Sequence, residues 1–272
     1  MSQRIRTTVL AAALVAGTGV LGGATPASAV PVWNANGPIH PGVQTYTAGG
    51  QCTANFVFYD SSNNVYIGQS AHCASTGGPT DTNGCITGSQ PIGTNVTVTG
   101  ATRPGKLVYS SWIAMKSDPS VTSAQCAYND FAIVKLDAAD YGRVNPSVPF
   151  WGGPQGVNTS GLPARSYVYT YGNSSLRFGL TPLSPKVGQT TTTTPATGWR
   201  YSVYTVSPGI PGDSGSAFLD RNGAALGTLS TLSTDGSNGV MNLNLALAYL
   251  RSHSTLTSLQ VANGLTTFDP IV

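Results

Sequence analysis

The chain has 272 residues, of which only 8% are charged, with 13 Lys and Arg against 10 acids. Two of those basic residues, Arg4 and Arg6, lie in an N-terminal stretch that reads as an export signal. The exported chain is then almost neutral, which argues against nucleic-acid or anionic-membrane binding. Gly (33) and Pro (18) are frequent, but 40% apolar residues in short patterned runs argue against disorder.

Residues 1–29 have the pattern of a secretory signal peptide. The basic start is followed by an apolar stretch from Val9 to Leu21 and a small-residue exit, Ala27-Ser28-Ala29, with cleavage expected after Ala29. Glycines interrupt the apolar stretch before it reaches the length of a membrane-spanning helix. The protein is therefore expected to be secreted, with no membrane attachment after cleavage and as a monomer. What remains suits one large all-β domain or two barrels.

Strand-and-turn patterning runs through most of the chain. Residues 55–59, 65–67, 95–99, 106–109 and 131–136 read as strands, as do 166–171, 201–206, 216–219 and 225–230. Turn residues such as 60–64, 77–79 and 221–223 separate them. Without intervening helices this predicts an antiparallel sandwich or barrel. Residues 151–162, rich in Gly, Pro and Asn, read as a connector between two halves, and the Thr run in 189–195 as an exposed loop or edge. The one helix signal comes late, with Leu243, Leu245, Ala246, Leu247, Tyr249 and Leu250 at helical spacing and Arg251 near the end.

Four cysteines, Cys52, Cys73, Cys85 and Cys126, in an exported chain argue for two disulfides, with three connectivities open. None forms a Cys-x-x-Cys pair, so neither a zinc site nor any other metal or cofactor is expected. The titratable inventory is short. All ten acids are Asp, and the only histidines are His40, His72 and His253.

Three segments carry chemistry: Ser70-Ala71-His72-Cys73, Asn129-Asp130-Phe131-Ala132-Ile133-Val134 and Pro211-Gly212-Asp213-Ser214-Gly215-Ser216. Taken singly, a His beside a Cys is more often structural, and an Asp opening an apolar strand is usually a turn or cap. Glycines on both sides of a Ser permit tight backbone geometry, but also make ordinary turns. Together they supply a complete nucleophile. A serine hydroxyl needs a base, imidazole is suited to that near neutral pH, and the imidazole needs an acceptor on its other nitrogen.

These segments resemble the three signature motifs of the chymotrypsin/trypsin family, in that family's chain order. Ser-Ala-His-Cys is similar to its Ala-Ala-His-Cys, Asn-Asp-Phe-Ala-Ile-Val-Lys-Leu to its Asn-Asp-Ile-Ala-Leu-Leu-Lys-Leu, and Gly-Asp-Ser-Gly-Ser to its Gly-Asp-Ser-Gly-Gly. The small chain, poor in Cys and rich in Gly and Thr, resembles the bacterial secreted members more than the animal ones. The resemblance implies an all-β fold of two antiparallel six-stranded barrels with a C-terminal helix. It divides the chain into an N-terminal segment (30–45), a first barrel (46–155), a second barrel (156–242) and a helix with tail (243–272).

It further implies a serine endopeptidase acting on proteins or peptides through an acyl-enzyme. His72 would be the base, Asp130 the orienting acid and Ser214 the nucleophile, with the N–H groups of Gly212 and Ser214 as the oxyanion hole. The strand 227–232 would bind substrate as an added strand, with Ser230 supporting the acid. Cys52–Cys73 matches a family bridge, and with it the resemblance implies Cys85–Cys126. In the family an Asp six residues before the nucleophile selects Arg or Lys; here that position is Pro208. A cation in a pocket without an anion would lose its hydration for nothing. Pro208, Ile210, Thr231 and Leu232 are expected to line the pocket and to favour small or medium apolar residues.

Three departures follow. Ser216 replaces the family's second Gly after the nucleophile. The expected mature start, Val30-Pro31-Val32-Trp33, lacks the Ile-Val-Gly-Gly whose amine pairs with the acid matching Asp213. An internal cation or backbone N–H groups should replace it, with Arg165, Arg177 and Arg200 as the candidates, since a buried carboxylate cannot stay unpaired. No long pro-region is visible. The alternatives are a non-catalytic secreted binding protein on the same scaffold and an α/β-hydrolase. The latter's Gly-x-Ser-x-Gly elbow fails at Ser216, and its strand-helix alternation is missing.

Overall fold

The computed structural model describes residues 30–78 and 81–270. The expected signal peptide lies outside the described residues, as do Pro79 and Thr80. The first half carries strands β1 (Gln44–Thr47), β2 (Gly50–Thr53), β3 (Val57–Tyr59), β4 (Val65–Gln69), β5 (Asn95–Val98) and β6 (Gly105–Ser110). Two short helices, α1 (Ser111–Met115) and α2 (Ser123–Tyr128), precede β7 (Ala132–Lys135). The second half carries β8 (Gly161–Leu162), β9 (Tyr167–Tyr171), β10 (Pro185–Thr190), β11 (Thr194–Pro195), β12 (Arg200–Thr205), β13 (Ala217–Asp220), β14 (Ala225–Leu232) and β15 (Asn238–Asn242). The helix α3 (Leu243–Ser252) follows, and β16 (Gln260–Val261) ends the regular structure.

All ladders are antiparallel. Strands β9, β10, β12, β13, β14 and β15 close into a six-stranded barrel. The first half is a curled eight-stranded sheet, ordered β16-β3-β4-β7-β6-β5-β1-β2. The fold class is the expected one. The first half differs in detail: its ladder stays open, and it runs to eight strands because β16 crosses back from beyond α3 to pair with β3.

Local chemistry explains most elements. Along β5 buried and exposed residues alternate, as a strand with one wet face requires. Central β4 is buried at every position. In α3 the Asn242 side chain accepts from Asn244 N and Leu245 N, capping the helix. Leu243, Ala246, Leu247 and Leu250 then form its buried stripe.

The short strands β1, β2, β8, β11, β15 and β16 were not read from the sequence, and neither were β10, α1 and α2. α2 is short and wholly on the surface, but Thr122 and Gln125 form a capping box that marks its start in the sequence. α1 has no side-chain cap. β10 opens with Pro and holds Lys, Gly and Gln, a composition poor in strand formers. It extends through Gln189 and Thr190, and Thr194 starts β11, so part of the Thr run lies in strands.

A shared apolar core joins the halves. Phe56, Phe58 and Phe131 from the first pack with Trp151, Tyr169 and Leu247. Each such side chain contributes about 1.5–3 kcal/mol when fully buried. The residues singled out by the sequence sit above this joint core, contributed from both sides.

Candidate active site

His72 lies on a single 3₁₀ turn, Ala71–Ala74, directly after β4. Its neighbour Cys73 is bridged to Cys52 of β2, and Cys85 is bridged to Cys126 of α2. Among the described residues, Cys52, His72 and Cys73 are the one grouping close enough to hold a metal. Both sulfurs are used in the disulfide, so no thiolate is offered to an ion.

Asp130 sits between α2 and β7 and is 3% exposed. Ser111 at the start of α1 clamps it from both sides in sequence: its hydroxyl donates to Asn129 O at 2.7 Å and accepts from Phe131 N at 3.0 Å. The Asp130 carboxylate accepts three bonds. His72 N reaches Oδ1 at 2.9 Å, His72 Nδ1 reaches Oδ2 at 2.7 Å, and the Ser230 hydroxyl reaches Oδ2 at 2.6 Å. A carboxylate on Nδ1 fixes the proton there and leaves Nε2 as the acceptor of the neutral ring.

Burial disfavours charge on both partners, but each is outweighed by the other. For His72, the charge and hydrogen bond of Asp130 raise the imidazole above its ordinary value despite burial. For Asp130, burial pushes the carboxyl up, and His72 with the Ser230 and backbone bonds brings it below the usual carboxylate range.

Ser214 reaches the same place from the second barrel. Its carbonyl accepts from Thr53 N of β2 at 2.8 Å, and Gly215 N donates to Leu229 O of β14 at 2.7 Å. Ser70, two residues before His72, also donates its hydroxyl to Leu229 O, at 2.9 Å. The two glycines around Ser214 are both required. Gly212 has φ +95°, and a Cβ there would lie 2.1 Å from Gln51 Oε1. Gly215 has φ +88°, and its Cβ would meet Thr53 O at 2.4 Å and Ser70 N at 3.2 Å. The serine loop is thus seated against the backbone that leads to His72.

Asp213 is fully buried and held by two cations. Arg177 pairs through both Nε and Nη2, and Lys186 Nζ lies 2.8 Å from Oδ2. Ser174 N and Ile210 N add bonds at 3.1 and 3.2 Å. Of the three expected candidates, Arg177 is a partner. Arg165 is exposed in a turn, and Arg200 donates to Ser233 Oγ at 2.7 Å.

The second partner, Lys186, was missed because β10 was missed. The alternation along β10 turns Lys186 inward with Gly188 and Thr190. Burial lowers the Lys186 ammonium below its ordinary value, Asp213 opposes that, and Arg177 adds to it.

A cavity of about 10 Å³ lies beside the loop, lined by Thr170, Gly172, Lys186, Thr205, Gly209, Asp213, Ser216, Phe218, Leu229 and Asn238. Pro208, Ile210, Ser230, Thr231 and Leu232 do not line it. Asn238 fills the space, accepting from Gly209 N at 2.8 Å and donating to Thr205 Oγ1 at 2.8 Å. Leu232 is half exposed. Of the two remaining histidines, His40 contacts Pro41 O, and His253 stacks on Tyr249 with Nε2 3.2 Å from Asp118.

No protein-family model matches the chain, and no curated protein matches it in sequence. Solved structures match its shape. Thermobifida fusca Protease A superposes with a TM-score of 0.51 at 16% identity, over 83% of this chain and 99% of that one. A Glu endopeptidase superposes with a TM-score of 0.50 at 16% identity, over 81% of this chain and 93% of that one. The fold is that of the chymotrypsin-like serine proteases.

Proposed function

We propose that the protein is a secreted serine endopeptidase with His72, Asp130 and Ser214 as its triad. The observation that carries the reading is the Asp130 site. A buried carboxylate holds His72 by its backbone N–H and by Nδ1, with Ser230 on the same oxygen. This constrains the ring's orientation and tautomer, so that Nε2 is the basic atom.

In the reaction, Ser214 Oγ attacks the peptide carbonyl while His72 Nε2 takes its proton. The Gly212 and Ser214 N–H groups receive the oxyanion. The tetrahedral adduct collapses, the C–N bond breaks, and His72 returns the proton to the departing amine. Water then repeats the sequence on the acyl-serine and releases the acid. Substrate would lie extended along the Ser230–Leu232 end of β14. Pro208, where an Asp would select Arg or Lys, supports cleavage after small or medium apolar residues. The disulfides and the N-terminal signal pattern support secretion.

Two substitutions test this. His72→Ala and Ser214→Ala should each remove nearly all peptidase activity, and Ser214→Ala should leave the thermal midpoint close to wild type. The residue should be roughly 10³–10⁴ over the uncatalysed rate, from the oxyanion hole and binding alone. A Ser214→Ala protein that still digests casein would reject the reading.

A further inference from the structure

Resting on the reading above, we propose that two buried hydroxyls, Ser174 and Ser216, are positioning residues that aim the oxyanion-hole N–H groups. A trans peptide is planar, so its C=O and the following N–H point in opposite directions. Fixing one fixes the other. The Pro211 carbonyl accepts from Ser174 Oγ at 2.5 Å. The Gly212 N–H on the same peptide must then face away from Ser174. The Asp213 carbonyl accepts twice from Ser216, from its backbone N–H at 3.0 Å and from its hydroxyl. The Ser214 N–H must face away from Ser216.

The peptide between them is held as firmly. The Gly212 carbonyl accepts from Thr53 Oγ1 at 2.7 Å and Gln51 Nε2 at 3.1 Å, while Asp213 N donates to Ile210 O at 2.9 Å. Three successive carbonyls are therefore tied to the protein. Among the described residues, neither Gly212 N nor Ser214 N donates to a protein acceptor. These are the two groups an oxyanion needs.

Both serines are 1% exposed. Ser174 is tied in turn to the Asp213 site, since its N–H donates to Oδ1. A glycine at 216 would keep the backbone bond to Asp213 O and lose the hydroxyl. The departure from the family pattern at Ser216 thus has a use: it adds a second donor to the carbonyl behind the nucleophile's N–H.

The test is steady-state kinetics with apolar peptide p-nitroanilides, together with second-order labelling by a fluorophosphonate, on Ser174→Ala, Ser216→Ala and the double variant. Oxyanion contacts act in the transition state, so kcat should fall with KM nearly unchanged. Losing a whole donor costs about 10²–10³ in kcat, so a loosened one should cost about 10-fold per variant and more in the double. Labelling rates should fall in parallel.

Ser174→Thr and Ser216→Thr keep the hydroxyl and should recover most of kcat. A purely packing role would instead lower the thermal midpoint and leave kcat alone, and Ser174→Ala is expected to lose some stability through its cap on Leu176 N as well. If wild type neither turns over substrate nor labels, the peptidase reading fails. If wild type is active and both Ala variants keep kcat and labelling rate within two-fold, this proposal fails and the reading stands.

Discussion

Asp130 and Asp213 are both buried carboxylates, one from each half of the molecule, and they are satisfied in opposite ways. Asp130 meets one cation that can lose its charge, His72, plus a hydroxyl and a backbone N–H. Asp213 meets a guanidinium and an ammonium plus two backbone N–H groups, with no imidazole in its shell. The first arrangement lets a proton come and go within a fixed geometry. The second ties one carboxylate to two cations and two backbone N–H groups at once. The proposed reaction needs both: a base that cycles and a nucleophile loop held in place.

Asp130→Asn should keep the fold and lower kcat by about 10⁴, the loss this substitution causes in a Ser-His-Asp protease, because Asn can donate to Nδ1 and select the wrong tautomer. Circular dichroism and peptide hydrolysis together read both halves of that statement. Unchanged turnover would remove Asp130 from the triad.

Asp213→Asn should do the reverse. It leaves Arg177 and Lys186 buried without their anion, and should lower the unfolding free energy by about 3–5 kcal/mol in urea denaturation. A near-wild-type urea midpoint would show that the pair is not the structural anchor described.

The pH dependence separates the two sites further. Asp130 is lowered, so its contribution is present above about pH 4 and is lost as pH falls through its reduced value. His72 is raised, so its contribution is complete below about pH 6.5 and is lost as pH rises through its elevated value. The pair stabilises most between those limits. Catalysis needs neutral His72, so kcat/KM should climb on an acid limb lying above about pH 6.5. In Asp130→Asn the limb of the residual activity should move to lower pH. An unmoved limb would contradict the coupling.

The smallest effect concerns Lys186. Its lowered value means the unfolded chain binds the proton more tightly than the folded one. Stability should therefore rise with pH from the lowered value toward about pH 10, and Lys186→Met should abolish that rise. Thermal midpoints across the alkaline range measure it, and an identical slope in the variant would contradict it.

How much was readable in the sequence follows from the range of the interactions. His72, Asp130 and Ser214 sit in short motifs whose neighbours carry local constraints, such as Gly212 and Gly215 at positive φ, so they stood out. Arg177 was identifiable as a candidate because a missing N-terminal amine demanded a cation. Lys186 was not, because its role depends on a strand whose composition hides it and on a contact to Asp213 across the barrel interior. The clamp by Ser174 depends on packing between segments 37 residues apart. The bonds of Asn238 to Gly209 N and Thr205 Oγ1 were not legible either, because nothing local in the sequence pairs β15 with β12 and β14.

The central claim is a preformed peptidase site that needs no new N-terminus, and intact-mass spectrometry tests it most directly. The chain starting at Val30, purified with residues 30–46 retained, is treated with a fluorophosphonate and weighed. One adduct per chain is expected, mapped to Ser214, on protein whose N-terminus is uncut. Folded protein that stays unlabelled, or that labels only after cleavage between residues 30 and 46, would contradict it.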